Sequence, residues 1–512
     1  MYFTSIRMAL FFILHSSFYI LHLNMFNIKG DIHDRYTLEF KIGYSRSDEN
    51  AEVSDFVMDT WLFLPDSMNI NQGTYTKVNF YRDFRAMMRL LTPVFTLEEI
   101  ANPKCLPLSR LKEWCSALAK EINTENEKAY EHQIKMFCSI ARSAYRDEAI
   151  RISKLQDKDA LRHDIDTMVE NTRLILLHYR AIPSETGINM LDTEHQKWFR
   201  LGDEWLCRTF ELRTYHLLET LKKRLGDDYS EVTRSLGEFL DEQIDYEKKQ
   251  QFIQPMEKEA VAHNRDYLHR GGQLKKYVES DLYLLAHTKS NTFVLQQILF
   301  MLAAGMSMVF ATVISFSFQK TFGNFTMPLF IALVVSYMFK DRIKELMRFW
   351  FAQKLGSKLY DFKTKLALSG QPIGWIKRGM DFVSERKLPK EVRERRGRTS
   401  ELETGYSALR EQVIIFRQRL KMYGKKLATL SHYPLHGVNE ILRINLREFL
   451  RHIDSSHVPI YINDGNSEFH EVQAEKVYYM HFIMRIRYEN TESYHRFRVC
   501  LNRRGAISIE EY

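Results

Sequence analysis

The sequence predicts a mainly α membrane protein, in which a two-helix transmembrane hairpin carries a cytoplasmic helical bundle and small β elements near both termini (α+β). The 512-residue chain is 45% hydrophobic and 27% charged, with only 11 Pro and 21 Gly, a composition that favours long helices over linkers. Two uncharged runs follow the middle of the chain, and helical periodicity precedes them. Period-two alternation of apolar residues near both ends indicates strands.

These patterns divide the chain into six predicted regions. They are an uncertain hydrophobic N-terminal segment at 1–28, a small β-containing region at 30–105, a cytoplasmic helical bundle at 106–292, a transmembrane hairpin at 293–340, a basic amphipathic helical region at 341–430 and a C-terminal β-meander domain at 431–512. The hairpin is thus expected to separate two cytoplasmic regions.

The hairpin prediction depends on two uncharged runs, residues 298–318 and 325–339. A helix needs about 20 apolar residues to cross a bilayer. The first run reaches that length, whereas the second reaches it only if residues 321–324 of the connecting loop are included. Basic residues flank the pair on both sides: Lys275, Lys276 and Lys289 before it, and Lys340, Arg342, Lys344 and Arg348 after it. The positive-inside rule then predicts a multi-pass protein of the inner (plasma) membrane with both terminal domains in the cytoplasm.

Small side chains recur every four residues in both runs, and such stripes let helix backbones approach closely in lipid. The predicted packing residues are Ala303, Ser307, Ala311, Ser315, Ala332 and Ser336. They could close the hairpin on itself or join protomers into a homo-oligomer, and the sequence leaves both arrangements open.

The N-terminal residues 8–28 form a third uncharged run, between Arg7 and Lys29. It lacks a small-x-small cleavage site, and a span here would reverse the orientation that the hairpin flanks predict. Two interpretations stay open: the start codon lies too early and Met25 begins the first domain, or the segment contacts the membrane peripherally.

Strands are predicted near both ends of the chain, with helices between them. Residues 36–44 alternate as a half-buried strand, and residues 56–64 are expected to form its partner, stopped by Pro65. Residues 109–297 read as helical, the last helix continuing directly into the membrane, and another helix is predicted over about 400–430. Residues 476–488, 495–501 and 506–509 predict a C-terminal meander.

Signatures of catalysis are scarce. The five cysteines have no C-x-x-C spacing, and the chain has no Walker A loop, no G-x-G-x-x-G after a strand and no G-x-S-x-G elbow. The dipeptide His163-Asp164 and the pair His432 and His436 are interpreted as solvated surface groups rather than metal ligands. We therefore predict no catalytic residues, no metal site and no cofactor, and an enzymatic activity is not expected.

Charge is distributed unevenly along the chain. Residues 340–512 contain 33 Lys+Arg and 21 Asp+Glu, a net charge of +12, which leaves 40 basic and 44 acidic residues and −4 for residues 1–339. A basic region beside a nearly neutral one indicates an anionic partner, such as an anionic phospholipid, a nucleotide or a nucleic acid.

The predicted anion-binding residues lie in the C-terminal meander, on the side opposite its apolar face. They are Arg485, Arg487, Arg496, Arg498, Arg503 and Arg504. Like charges opposed across a sheet cost stability, so these arginines need acidic neighbours or an anion. The nearby Glu489, Glu492, Glu510 and Glu511 could neutralise them, and the other interpretation is a phosphate-bearing ligand held by guanidinium groups.

Two functions from different classes follow. The first is a membrane-anchored scaffold or sensor whose largely cytoplasmic parts bind a partner or an anionic ligand, with the lipid bilayer as a further partner. The second is an oligomeric channel or transporter of divalent cations built on the hairpin. The layout, together with Gly323-Asn324-Phe325 and Met327-Pro328, resembles the magnesium-channel family with a Gly-Met-Asn loop, although the Met between Gly and Asn is absent and a long region follows the second run.

Overall fold

The chain divides into two compact units, which we call the sheet unit (Met1–Arg89 and Leu284–Tyr512) and the helical unit (Leu90–Tyr283). The computed structural model describes residues 26–46, 52–188, 193–226, 229–257, 260–291, 293–323, 326–356, 360–368, 370–397, 411–430, 433–435, 437–463, 465 and 469–512. Most of the uncharged N-terminal run, together with His432 and His436, lies outside these residues.

Fourteen strands are formed by the described residues, and all of them lie in the sheet unit except for Leu90, the last residue of β4. They are β1 (Phe26–Asp34), β2 (Thr37–Ser45), β3 (Val53–Pro65), β4 (Phe84–Leu90), β5 (Leu285–Ser290), β6 (Phe362–Leu368), β7 (Gln371–Phe382), β8 (Glu411–Tyr423), β9 (Gly437–Asn445), β10 (His457–Asn463), β11 (Phe469–Glu475), β12 (Tyr478–Tyr488), β13 (Thr491–Asn502) and β14 (Gly505–Glu511). The large sheet has the order β14-β13-β12-β3-β8-β7-β6-β5, the small sheet has the order β1-β2-β9-β4, and β10 pairs with β11 alone.

Helices form the helical unit, and the described part of the sheet unit contains a long helical hairpin and four short helices. In chain order they are α1 (Lys77–Asp83), α2 (Leu97–Ala101), α3 (Leu106–Lys120), α4 (Thr124–Ser153), α5 (Lys158–Thr186), α6 (Thr193–Leu225), α7 (Tyr229–Val232), α8 (Arg234–Gln250), α9 (Val261–Glu279), α10 (Phe293–Phe322), α11 (Met327–Gly356), α12 (Lys390–Arg396), α13 (Gly424–Leu430) and α14 (Arg447–Leu450). Within residues 106–292, where a helical bundle was predicted, the structure forms α3–α9 and then strand β5.

The helical unit is held by aromatic stacking between its long helices. Tyr179 of α5 stacks on Phe137 of α4 at a ring-centroid distance of 5.4 Å and on Phe199 of α6 at 4.2 Å. Its hydroxyl, fully buried, donates a hydrogen bond to the carbonyl oxygen of Phe199 at 3.0 Å. A Cβ atom at Gly202 would collide with this hydroxyl, so glycine is what allows α6 to approach α5 here.

The prediction of a mainly α membrane protein is wrong. The structure is 54% helix and 30% strand, and it contains three antiparallel sheets. Strands β6, β7 and β8 occupy residues that were expected to be helical, and β8 replaces most of the helix predicted over 400–430. These strands pair with β5 and β3, which are distant in sequence, so tertiary pairing overrides their local helical pattern.

The N-terminal strands also differ from the prediction in their pairing. Both strands exist as β2 and β3, and Leu38, Phe40 and Ile42 of β2 are completely buried. The two strands are not partners, however: β2 pairs with β1 and β9, whereas β3 lies between β8 and β12 in the large sheet. They pack face to face across the two sheets, with the Tyr44 and Phe56 ring centroids 5.4 Å apart.

The helical hairpin α10–α11 leaves the edge of the large sheet and returns to it. Strand β5 precedes α10, strand β6 follows α11, and the two strands pair antiparallel, with Ser290 opposite Phe362. The amide of Asn291 donates to the carbonyl oxygen of Asp361 at 2.9 Å, which joins the two ends of the hairpin. The expected direct continuation of a bundle helix into the hairpin is therefore wrong, because β5 intervenes.

The predicted two-helix transmembrane hairpin and multi-pass localisation are wrong. Among the described residues one helix, α10, is long and apolar enough to cross a bilayer, over Gln297–Phe322, with a mean hydropathy of 2.2 and 11% of that window buried. Residues 321 and 322, which the prediction needed to lengthen the second span, belong to α10, and Gly323 then turns the chain at φ +76°. The apolar part of α11 is left with residues 327–339, about 20 Å of helix against a hydrocarbon core of about 30 Å.

A buried carboxylate joins the two sheets of the sandwich. Glu440 of β9 in the small sheet has no solvent exposure. Its Oε1 accepts hydrogen bonds at 2.7 Å from the Arg378 guanidinium of β7 and from the Gln418 amide of β8. Its Oε2 accepts from the Tyr44 hydroxyl at 2.9 Å, and burial together with this carboxylate raises the pKa of Tyr44. Most other side chains in the interior of the sandwich are apolar, and the buried Ser54, Thr60 and Thr364 carry no charge, so this network favours one alignment of the two sheets.

Replacing Glu440 by leucine is expected to lower the free energy of unfolding by about 3–5 kcal/mol, because the Arg378 charge would stay buried without a partner. The double variant Glu440→Leu with Arg378→Met should recover most of the loss, since it removes both charges. Urea titrations of both variants measure the difference. The exposed Glu391 provides the matched control, and Glu391→Leu should change the stability by less than about 0.5 kcal/mol. Equal effects at the two glutamates would contradict the role of the buried network.

Candidate anion-binding face of the large sheet

The two faces of the large sheet have different surroundings. Phe482 of β12 and Phe497 of β13 face the small sheet, where both rings contact Phe40, with centroid distances of 5.0 and 5.3 Å. Side chains alternate along a strand, so the odd-numbered residues of β12 and β3 and the even-numbered residues of β13 point to the opposite side, which we call the outer face. At one end of the outer face, Leu388 and Val392 pack on a cluster that includes Trp61.

Two of the predicted arginines share one carboxylate on the outer face. Asp59 of β3 lies opposite Arg485 of β12 in the register. Its Oδ2 accepts a hydrogen bond from Arg485 at 2.6 Å and lies 3.5 Å from a guanidinium nitrogen of Arg487. The Arg485 guanidinium is also 3.5 Å from Glu492 and stacks over the Trp61 ring at 5.2 Å. Burial lowers the pKa of Arg485, but the pairing with Asp59 outweighs it and leaves the pKa raised.

The other predicted arginines occupy separate places. Arg498 donates to Glu510 at 2.8 Å, and Arg496 lies over the Tyr512 ring at 5.4 Å. Arg503 and Arg504 lie exposed in the turn before β14, where the amide of Arg504 donates to the Asn502 side chain at 2.7 Å. Local carboxylates therefore engage Arg485, Arg487 and Arg498, and anion binding by the six arginines stays a prediction.

The register does not oppose these arginines to each other. Arg485 and Arg487 face Tyr494 and Glu492 across the β12–β13 pair, and Arg496 and Arg498 face Ile483 and His481. The like-charge opposition that suggested an anion site in the meander is therefore absent from this strand pair.

Like charges do oppose each other elsewhere on the outer face. Lys289 of β5 lies opposite Lys363 of β6, Lys363 opposite Lys377 of β7, and Lys377 opposite Arg419 of β8. In the next row Trp375 of β7 lies between Lys365 and Lys421. We call this set the basic patch: Lys289, Lys363, Lys365, Lys377, Arg419 and Lys421, arranged around Trp375.

The geometry holds the cations of the basic patch close together. The ammonium groups of Lys363 and Lys377 each lie 5.0 Å from the centroid of the Trp375 ring, a cation–π arrangement. Burial, followed by the charges of Lys363 and Arg419, lowers the pKa of Lys377. Arg419 is paired with Asp55 through two hydrogen bonds of 2.9 and 2.7 Å. The patch therefore concentrates positive charge that one carboxylate neutralises only in part.

A further guanidinium lies beside the patch. Arg417 of β8 is opposite Asp59 on one side and Gly379 on the other. Its Nε and Nη2 atoms are buried and have no hydrogen-bond partner within the described part of the chain. The nearby Tyr360 hydroxyl has its pKa raised by burial and by Asp59, with Arg417 and Arg419 opposing the shift. Arg417 thus adds to the positive potential of this region.

Sequence reasoning missed the basic patch because four separate strands contribute to it. Lys289 was interpreted as a hairpin flank, and Lys363, Lys377 and Arg419 fell in a region predicted to be helical. The signal that could have found them is the period-two spacing of Lys363 with Lys365, and of Trp375 with Lys377. The partner strands of these segments have no local signature.

The helical unit contains a separate group of buried ionisable side chains. Glu204 accepts hydrogen bonds from Arg270, the shortest at 2.5 Å, and lies 3.6 Å from Arg208. Burial and the neighbouring Glu211 raise the pKa of Glu247 to about 7. Within the described residues no group of three or more His, Cys, Asp or Glu side chains could hold a metal ion. Ion pairing accounts for Glu204, and we assign no chemistry to this group.

No protein-family model matches the chain, and neither a curated protein nor a solved structure matches it. Its function must therefore be argued from its own residues.

His481 predicts a pH dependence of stability. Burial, and then the charges of Arg396, Arg496 and Arg498, lower the pKa of His481 to about 3 from an ordinary value of about 6.5. The unfolded chain therefore binds a proton below about pH 6.5 that the folded chain excludes, and stability falls as the pH falls towards 3. Between pH 7 and 4.5 this group should remove roughly 2–3 kcal/mol of stability.

Urea titrations across this pH range should show that His481→Phe loses less stability on acidification than the unaltered chain. The exposed His452 is the control, because His452→Phe should leave the pH dependence unchanged. The interpretation fails if the two variants have the same slope.

Proposed function

We infer that the chain is a membrane-attached scaffold or sensor: the apolar end of the α10–α11 hairpin enters a lipid bilayer and keeps the large sheet near its surface. The observation that carries this proposal is the apolar surface that both helices expose around the end of the hairpin. The lipid bilayer is the proposed partner of this surface.

Apart from the exposed Gln319, Lys320 and Thr321 at its tip, the end of the hairpin is apolar on all sides rather than along one stripe. On α10 the side chains of Val313 and Phe316 are 59% and 66% exposed, and on α11 those of Phe330 and Met338 are 61% and 67% exposed. A helix that docks on a protein buries one apolar face and keeps a polar one. Because exposed apolar side chains lie on several sides of this hairpin, lipid is favoured over water as its surroundings.

The packing inside the hairpin explains how it can enter lipid as one body. Ala303, Ser307, Ala332 and Ser336 are buried between α10 and α11. The Ser336 hydroxyl donates to the carbonyl oxygen of Ala311 at 3.3 Å. Four of the six predicted small packing residues are therefore buried in the hairpin, which supports close helix approach within one chain.

The polarity of α11 limits how deep the hairpin can enter. Arg348 lies over the Phe300 ring at 4.9 Å, so the charged part of α11 runs beside the first part of α10. Lys340, where this charged part begins, lies 3.9 Å from the Tyr337 ring centroid. An aromatic residue followed by basic residues suits the headgroup region, where anionic lipid attracts each Lys or Arg by about 1 kcal/mol. The apolar end, about 20 Å long, is thus expected to insert from one side of the bilayer.

Replacing Phe316 and Phe330 together by glutamate should abolish attachment to vesicles. A charged side chain in the hydrocarbon costs about 2.5–3.5 kcal/mol, and each lost phenylalanine removes about 1.5–3 kcal/mol of burial, so partitioning should fall at least about 100-fold. Flotation of the full chain with vesicles of zwitterionic phosphatidylcholine, which has no net charge, measures the change without attraction to an anionic surface.

The β10–β11 hairpin supplies the matched control. Tyr461 and Phe469 are 63% and 71% exposed, with ring centroids 5.9 Å apart. The variant Tyr461→Glu with Phe469→Glu makes the same chemical change elsewhere in the sheet unit and should float like the unaltered chain. The proposal is wrong if the Phe316 and Phe330 variant still floats, or if both double variants lose attachment equally.

A further inference from the structure

We propose that the basic patch on the outer face binds single-stranded nucleic acid, with successive phosphates along the row of cations from Lys289 to Arg419. The proposal goes beyond membrane attachment, because it concerns a different surface of the sheet unit and a different ligand.

The row is too long for one phosphate group. Its four cations occupy four neighbouring strands, which span about 14 Å at the usual strand spacing of about 4.8 Å. The row continues past Val57 of β3 to Arg487 of β12, whose side chain is 46% exposed. With these two further strands the row extends about 24 Å. A ligand that fills it carries negative charges repeated along its length.

The opposed cations of the sheet favour the binding of an anionic ligand. Cations directly opposed across strands destabilise a sheet. Here three consecutive strand pairs oppose cation to cation, and Asp55 compensates only the last of them, at Arg419. A polyanion laid across the row would convert each repulsion into a charge-assisted contact.

The aromatic ring among the cations favours nucleic acid over a polyanion that has no bases. Trp375 lies between Lys365 and Lys421 in the row next to the four cations, and its ring contacts the ammonium groups of Lys363 and Lys377. Single strands are bound by surfaces that combine basic side chains with aromatic rings on which bases stack. A sheet offers such side chains on an open surface that a single strand can follow.

Lipid headgroups do not fit this position. The charged part of α11 extends from Lys340 to the end of the helix at Gly356, about 24 Å of helix between the apolar end of the hairpin and the sheet. The patch begins on β5 and β6, at the opposite end of the hairpin from the turn at Gly323. A ligand from solution reaches the patch when the hairpin is in lipid.

Fluorescence anisotropy of a labelled single-stranded RNA of about 12 nucleotides with the full chain in detergent tests the proposal. The variant Lys363→Gln with Lys377→Gln should raise the Kd at least tenfold and make the dependence of log Kd on log salt shallower by about 1.4, since each lost phosphate contact changes that slope by about 0.7. It should unfold no more easily than the unaltered chain, because it removes opposed charges.

Two further binding measurements identify the class of ligand. Trp375→Leu should weaken RNA binding about tenfold, and Trp375→Phe should restore it, if bases stack on this ring. Inorganic polyphosphate and poly-glutamate of matched charge should bind more weakly than RNA. Equal binding of these polyanions, or insensitivity to Trp375→Leu, would overturn the assignment to nucleic acid.

The exposed residues Lys387 and Lys390 provide the control for net charge. Both lie close in sequence to Leu388, which packs on the other end of the outer face, and Lys387→Gln with Lys390→Gln removes the same charge away from the patch. This variant should bind RNA like the unaltered chain, and equal losses in both double variants would refute a localised site. Vesicle flotation should be unchanged in both, so failure of this proposal and failure of membrane attachment give different results.

Discussion

The buried ion pair between Glu440 and Arg378 is the interaction on which the arrangement of the sheet unit depends. Both groups lose contact with water when the two sheets pack. The free-energy cost of this desolvation is offset only in the geometry in which Glu440 accepts hydrogen bonds from Arg378, Gln418 and Tyr44 together. A shift of β7 or β8 by one residue would turn Arg378 and Gln418 to the outside. The same register decides that Lys377 and Arg419, one residue away from Arg378 and Gln418, point to solvent. The inner network therefore determines the composition of the outer face.

A second constraint comes from the pairing of β5 with β6. The hairpin α10–α11 is inserted between two neighbouring strands, so its ends are held together by the sheet rather than by lipid. The insertion adds an apolar projection to an edge of the large sheet. Because α10 and α11 differ in where their apolar residues end, the hairpin has a charged base and an apolar end. If the hairpin attaches to a membrane as proposed, the charged part of α11 limits how far it enters the bilayer.

Local patterns in the sequence predicted several elements correctly. The alternation in residues 36–44 gave the buried face of β2, and the meander β12–β13–β14 pairs in the predicted order. Helices were predicted over residues 109–297, and long helices occupy most of this range up to Glu279, whereas residues 285–290 form β5. In each case the alternation of buried and exposed residues repeats within one segment, so the sequence of that segment is enough to predict the element.

Pairing between distant segments was not predictable in this way. Strand β3 pairs with β8 and β12, more than 340 residues further along the chain, and β5 pairs with β6 across the whole helical hairpin. Residues 298–318 were sufficient to predict an apolar helix, but the length of its partner depends on the turn at Gly323 and on helix register. The pairing of Asp59 with Arg485 and Arg487 was not predicted, because Asp59 is far from these arginines in the sequence.

The structure also changes which of the two basic regions is the better candidate for an anion-binding site. The meander arginines attract attention in the sequence because they are close together, but Asp59, Glu492 and Glu510 already hold three of them. An anion that binds there has to compete with those carboxylates, and the exchange of one partner for another releases little free energy. The lysines of the basic patch are spread over 289–421 and become neighbours only through strand pairing. Their mutual repulsion is relieved when an anion binds, so the ligand gains the attraction of each cation together with the relief of that strain. Cations that strand pairing places opposite each other are therefore better candidates for binding an anion than cations that are only close together in the sequence.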